Sequence, residues 1–116
     1  MSSGGKRWTV YDRDGNSIYL TDERWMHIVD FDNHPEVTAY ESHLKVTLRK
    51  GHRRQEPLNP RKYRYVFPFD DLPDEFNHIV VIVLFGFDIN EQGQTISNNY
   101  VATAFMKTIT AKGTNQ

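Results

Sequence analysis

The longest apolar stretch of the chain, residues 79–87, constrains the fold more than any other segment. Its nine residues are too few for a membrane-spanning helix, which needs about 20, so we expect no membrane association. The surrounding segment HIVVIVLFGFD is apolar on both faces, a pattern typical of a strand in the centre of a sheet. We therefore predict a sheet with this strand at its centre, in a chain of 116 residues that is long enough to bury a core.

The first half of the chain predicts a hairpin followed by two helices. Residues 1–6 are small and polar and are expected to form a disordered tail, and Asp14-Gly15 predicts a β-hairpin, or two short edge strands, within residues 7–20. Residues 21–50 form a predicted helix pair. Thr21 caps the first helix, and a second, amphipathic helix begins at Pro35 and ends near Gly51.

The second half predicts a loop and then the sheet. Residues 51–62 contain two prolines among basic side chains and are interpreted as a basic loop. Residues 63–110 are expected to form an antiparallel sheet of three strands, with residues 89–98 as a polar hairpin loop. The prediction is a single domain, residues 1–116, of the α+β class: two N-terminal helices, after a short β-hairpin, pack on an antiparallel sheet in the order β-β-α-α-β-β-β.

The net charge of −1 conceals a strong asymmetry. Residues 45–64 hold eight basic residues and one acidic residue, whereas the rest of the chain holds six basic and fourteen acidic residues. One positive region on an otherwise negative surface suits a polyanionic ligand that approaches from one side. The chain has no cysteine, which excludes disulfides and thiolate metal sites, and nothing indicates secretion, so we expect a cytoplasmic protein.

The basic region also contains aromatic residues. Tyr63 and Tyr65 bracket Arg64, so that two rings that could stack on bases flank a cation that could hold a phosphate. Alternatively, the basic residues form a solvated loop that shields an edge strand from aggregation. The predicted nucleic-acid-binding residues are Arg49, Lys50, Arg53, Arg54, Lys62, Tyr63, Tyr65 and Lys107.

Two further residues are candidates for chemistry. His27 lies just off the buried stripe of the first helix, where an imidazole can transfer protons near neutral pH; alternatively, it packs at the helix flank. Alternation along the last strand places Thr103 and Lys107 on the open face of the sheet. His34 precedes a proline and is interpreted as a turn residue, and we expect no metal site from His27, Asp30 and His34 because their spacing matches no standard ligand set.

Several short motifs occur in an order that resembles a known family. They are RWMHI, NHPEV at the start of the second helix, YRY, HIVVIV and YVATAF, and together they span roughly residues 18–109. This series is similar to the phage- and toxin-associated branch of the barnase–EndoU–colicin–RelE-like nucleases. The resemblance implies a metal-independent ribonuclease in which His27 is the general acid or base, Arg64 holds the phosphate and Thr103 orients it.

The leading hypothesis is therefore an RNA endonuclease that needs neither a metal nor another cofactor. Its substrate would be tRNA or another RNA, and a toxin-like member of such a family is neutralised by a cognate inhibitor protein. A second hypothesis is a non-catalytic module of the same fold that binds nucleic acid or protein. The sequence carries no signal for an oligomeric state.

Overall fold

The computed structural model of the chain describes residues 5–110, which form eight strands, two α-helices and a 3-10 helix. In chain order the elements are β1 (Lys6–Tyr11), β2 (Ser17–Thr21), α1 (Asp22–Ile28), the 3-10 helix (Pro35–Tyr40), α2 (Glu41–Lys50), β3 (His52–Glu56), β4 (Asn59–Pro68), β5 (His78–Leu84), β6 (Phe87–Ile89), β7 (Thr95–Ser97) and β8 (Asn99–Lys107). The α+β class with two helices and one large sheet agrees with the prediction. Neither helix in this range is long and apolar enough to cross a membrane.

Six of the strands form one sheet in the order β1-β2-β8-β5-β4-β3. As predicted, β5 lies inside the sheet, between β8 and β4, and its residues 79–83 are all buried. Within residues 63–110, β4, β5 and β8 pair antiparallel as predicted. The six-stranded sheet as a whole is mixed, because β2 pairs with β8 in parallel, through Ile18↔Asn99 and Tyr19↔Tyr100. The predicted hairpin β1–β2 is present. Its second strand lies beside β8 and forms the parallel pair. Local sequence patterns do not specify which strand a hairpin will pair with.

The two helices pack on one face of the sheet. Thr21 caps α1 by accepting a hydrogen bond from the backbone N–H of Arg24 at 3.0 Å. One contiguous core cluster joins buried residues of the helices with every second residue of the central strands; it includes Trp25, Ile28, Leu44, Leu48, Tyr65, Val81 and Ala104. We call this side of the sheet the helical face and the opposite side the open face.

The second predicted helix differs from the prediction in form. Residues 35–40 adopt a 3-10 helix, and a regular α-helix begins only at Glu41. Gly51 ends α2 as expected, and its backbone N–H bonds to the carbonyl of Thr47 at 2.8 Å. A Cβ atom at position 51 would lie 2.8 Å from the carbonyl oxygen of Val66, so only glycine fits where α2 meets the sheet.

Three segment predictions are corrected by the strands. Residues 51–62 do not form a loop: β3 and the start of β4 form a hairpin there, with the turn at Pro57 and Leu58. Residues 89–98 are not a plain loop either, since β6 and β7 pair as a second small hairpin. Lys6, predicted to be part of the tail, is the first residue of β1; residues 1–4 lie outside the described range. Edge strands of charged residues lack the apolar alternation on which sequence prediction of strands depends.

Candidate nucleic-acid interface

A row of paired residues crosses four strands of the open face. Arg54 of β3 lies opposite Arg64 of β4, which lies opposite Ile82 of β5, which in turn lies opposite Thr103 of β8. Residues directly opposite each other in a sheet project to the same side, so Arg54, Arg64 and Thr103 share one face. Strands are spaced about 4.8 Å apart, which places Arg64 and Thr103 about 10 Å from each other with Ile82 between them.

A cavity of about 530 Å³ opens beside this row. We call it the basic cavity; it is lined by His52, Arg53, Arg54, Gln55, Glu56, Pro57, Arg64, Val66, Lys107 and Ile109. Its one acidic residue, Glu56, is ion-paired to Arg64 at 3.3 Å between Oε2 and Nε. Arg54 and Lys107 form no ion pair within residues 5–110. The excess of cations gives the cavity a positive field.

Lys107 of the basic cavity also affects a nearby histidine. His78 lies opposite Lys107 in the β5–β8 pair. Burial, and then the positive charge of Lys107, hold the pKa of His78 below its ordinary value.

Tyr65 does not lie in the interface. It is 1% exposed and belongs to the core cluster on the helical face, where its hydroxyl donates to Asp12 Oδ2 at 2.6 Å. The prediction that Tyr65 stacks on a base is therefore wrong. Strand alternation explains the error: Arg64 and its two neighbours point to opposite faces, so a tyrosine next to Arg64 in sequence cannot lie beside it in space.

Tyr63 and Arg53 also lie on the helical side of the β3–β4 hairpin. The Tyr63 ring packs against Phe85 with ring centroids 4.7 Å apart, and the guanidinium of Arg53 lies 4.7 Å from the Tyr63 centroid. Arg53 is also ion-paired to Asp14 at 3.4 Å. Both side chains are thus held by other parts of the protein, and their predicted contact with nucleic acid stays a prediction.

A second polar cavity, of about 310 Å³, adjoins the basic cavity and shares His52 and Arg53 with it. On its floor the carboxylate of Asp12 accepts hydrogen bonds from two turn amides, from the Asn16 side chain and from Tyr65. Burial opposes ionisation of Asp12, but the hydrogen bond from Tyr65 and those from the turn outweigh it and lower the pKa. Asp12 therefore stays ionised as a structural acceptor, and burial raises the pKa of Tyr65, which stays a donor.

His27 lies apart from the row of Arg64 and Thr103. It is exposed on α1 and borders a different cavity, of about 280 Å³, with Thr21, Glu23 and Arg24. The structure thus brings His27 together with one acid and one arginine of its own helix, whereas it brings Arg64 together with Arg54, His52 and Lys107. Only the placement of Thr103 and Lys107 on the open face agrees with the predicted arrangement.

The remaining predicted binding residues lie outside the basic cavity. Arg49 and Lys50 are exposed at the end of α2, and Lys62 lies on β4 opposite Leu84. Their role stays a prediction. His52, which local sequence does not distinguish from any other histidine, lines both polar cavities because β3 pairs with β4. A signal for it exists only once that hairpin is known.

No metal site is evident within residues 5–110, where no three histidine, aspartate or glutamate side chains are placed to hold an ion. His34, at the start of the 3-10 helix, instead packs on Phe105 with ring centroids 5.5 Å apart.

Comparison of the chain with family models, with curated proteins and with solved structures yields no match.

Proposed function

We propose that this protein binds RNA through the basic cavity. The observation that carries the proposal is the pair Arg54 and Arg64, which lie directly opposite each other on adjacent strands. Like charges in such a pair, with Cα atoms about 4.5–5.5 Å apart, destabilise a sheet. Glu56 compensates one of them, and Lys107 adds a further positive charge across the cavity. A bound phosphate would relieve this repulsion, and the resemblance to ribonucleases makes RNA the polyanion to test first.

The test is the affinity for a labelled single-stranded RNA, measured by fluorescence anisotropy over a series of salt concentrations. Arg54→Gln should weaken binding about tenfold, since one charge-assisted hydrogen bond is lost, and should reduce the slope of log K against log salt by about 0.7. Gln92→Glu, at the tip of the β6–β7 hairpin, is the matched control because it changes the net charge by the same amount far from the cavity. Equal effects of the two variants, or binding that ignores salt, would contradict the proposal.

RNA cleavage without a metal is a second candidate function, and the cavity of His27 favours it. An imidazole, a carboxylate and a guanidinium border one cavity there, in His27, Glu23 and Arg24. These groups suit removal of the ribose 2′-OH proton, attack of that oxygen on the adjacent phosphate, and stabilisation of the charge that develops on the phosphoryl oxygens. The products would be a 2′,3′-cyclic phosphate and a free 5′-OH. In this version Arg24 takes the role that the family resemblance gives to Arg64.

Incubation of generic RNA and tRNA with the purified protein in EDTA tests cleavage. We expect cyclic-phosphate products from the unaltered protein and a loss of about 10²–10⁴-fold in rate for His27→Gln. Met26→Gln is the control, since Met26 is the exposed neighbour of His27 on the same helix. RNA that stays intact with the unaltered protein, or a His27→Gln variant that cuts equally fast, would remove this candidate and leave RNA binding alone.

A further inference from the structure

Two adjoining cavities form one groove along α1, β2 and β8. The first, of about 280 Å³, is the cavity of His27, and the second, of about 200 Å³, is lined by Tyr19, Thr21, Arg24, Tyr100 and Val101. Because both are lined by Thr21 and Arg24, we treat them together and call them the α1–β8 groove. Their combined volume lies within the range of about 300–1,000 Å³ that is typical of small-ligand sites.

An irregularity in β8 places the aromatic wall of this groove. The register of the β5–β8 pair shifts between Ile82 and Val83, so that Val83 lies opposite Val101, whereas Ile82 lies opposite Thr103. Ala102 is therefore an extra residue, a β-bulge. As a result, Tyr100 shares the open face with Thr103 and is paired with Tyr19 of β2.

The tyrosine pair is held in place by its neighbours. The two ring centroids are 6.2 Å apart with an interplanar angle of 41°. The Tyr19 hydroxyl donates to the side chain of Asn98, and Lys6 Nζ lies 4.4 Å from the Tyr19 centroid. Burial, and then the charge of Asp88, raise the pKa of Tyr19, so the ring stays neutral. Tyr19 is therefore held in a fixed position, and both Tyr19 and its neighbour Tyr100 line the cavity.

The polar side of the groove comes from α1. The cap at Thr21 fixes the start of the helix, and the positions of Arg24 and His27, three residues apart, lie on one side of it. Arg24 forms no ion pair with any residue in the described range 5–110. Its planar guanidinium can hold a phosphate through two parallel hydrogen bonds. Glu23, in the same cavity, offers an acceptor for ribose hydroxyls or base amines.

We propose that the α1–β8 groove binds one nucleotide, with its base against Tyr100, its phosphate on Arg24 and its ribose towards His27. An aromatic ring beside an unpaired arginine matches the two chemical parts of a nucleotide, because bases stack on rings and phosphates bind guanidinium. The inference deepens the cleavage candidate by naming its substrate-binding residues, and it rests on that candidate only for the role of His27. Nucleotide binding itself can be measured without cleavage.

Titration with the four 3′-nucleoside monophosphates, followed by calorimetry and by amide chemical shifts, tests the groove. We expect Arg24→Gln and Tyr100→Leu each to weaken binding about tenfold, since loss of base stacking alone is worth roughly that factor. The matched controls are Gln92→Glu for the charge and Tyr11→Leu for the ring, because Tyr11 is 63% exposed and lines neither part of the groove. No binding by the unaltered protein, or equal losses in variants and controls, would overturn the proposal.

A second arm distinguishes a free nucleotide from an RNA segment as the ligand. The same nucleotide is titrated alone and as the 3′ end of a trinucleotide. Equal affinities would identify a free nucleotide as the ligand, and tighter binding of the trinucleotide would identify an RNA chain as the ligand. The proposals for the groove and for the basic cavity are tested separately. The nucleotide titration with Arg24→Gln tests the groove, whereas the long-RNA titration with Arg54→Gln tests the cavity.

Discussion

At the scale of single residues, Asp12 connects the β1–β2 turn to the centre of the sheet. Asp12 is only 8% exposed, and its carboxylate accepts a hydrogen bond from the hydroxyl of Tyr65, 53 positions away in the sequence. Its pKa is lowered from an ordinary value of 3.8, so the ionised form stabilises the fold above about pH 4. This contribution is lost as the pH falls through the lowered pKa, because the unfolded chain then binds the proton more readily.

Removal of the Tyr65 hydroxyl should weaken this connection. We expect Tyr65→Phe to lower the free energy of unfolding at pH 7 by about 1.5–3 kcal/mol, the range for a hydrogen bond to a charged group. The difference from the unaltered protein should shrink as the pH falls below 3.8 and through the lowered pKa of Asp12. Urea unfolding followed by tryptophan fluorescence measures both values. Tyr11→Phe, at an exposed ring, should change neither, and a loss that is independent of pH would show that Asp12 is not the partner.

Sequence predicts residues whose role depends on local chemistry better than residues whose neighbours are set by the tertiary fold. Thr21 as a helix cap and Gly51 as a helix end depend on local chemistry, and both were predicted correctly. Tyr65 is adjacent to Arg64 in sequence, but strand alternation places their side chains on opposite faces of the sheet. Sequence carries no signal for Arg24 as a ligand, since its aromatic neighbours Tyr19 and Tyr100 come from two strands that meet it only in the folded chain.

At the scale of elements, the junction between α2 and β3 sets the position of the arginine row. Gly51 lies between the two elements, and an added Cβ would meet two backbone carbonyls, those of Thr47 and Val66. Neither carbonyl can move without displacing the helix or strand β4. The start of β3, and with it Arg54, therefore depends on this one close approach.

We expect Gly51→Ala to destabilise the protein by about 1–3 kcal/mol, the usual range for overpacking, and to weaken RNA binding as β3 shifts. Gly86→Ala is the matched control. Its Cβ would meet the far end of the Arg61 side chain at 2.8 Å, and a flexible side chain can move away at small cost. Thermal unfolding of both variants, together with anisotropy measurements, gives the comparison. If Gly86→Ala were as damaging as Gly51→Ala, close approach of backbone atoms would not be the cause.

The elements also show where a single sequence carries too little information. The apolar strand β5 and the first helix start have strong local patterns, and the structure contains both. At the second predicted start, Pro35, the structure has a 3-10 helix before the α-helix. Strand β3 has none, because an edge strand that carries arginines on both faces looks like a loop. The parallel contact of β2 with β8 and the bulge at Ala102 arise from tertiary packing, which local propensity does not encode.

At the scale of the whole molecule, both candidate sites include residues of the open face. The basic cavity includes Arg54 and Arg64, and the α1–β8 groove includes Tyr19 and Tyr100; all four belong to open-face rows. Between β3 and β8 there are three strand spacings, or about 14 Å. A single RNA strand that occupies one site thus holds its next nucleotides close to the other.

Simultaneous occupation predicts a step in affinity with RNA length. An RNA that is too short to reach both sites binds to only one of them at a time. In an RNA that is long enough, binding at the first site makes the second contact intramolecular, with an effective concentration in the millimolar range for a short flexible link. A series of oligonucleotides of increasing length should therefore show one steep rise in affinity, and either Arg24→Gln or Arg54→Gln should abolish it, while Gln92→Glu preserves it. A gradual increase with length that is the same in all four proteins would show that the two sites do not bind one strand together, since a strand that meets only one site gains affinity statistically with each added nucleotide.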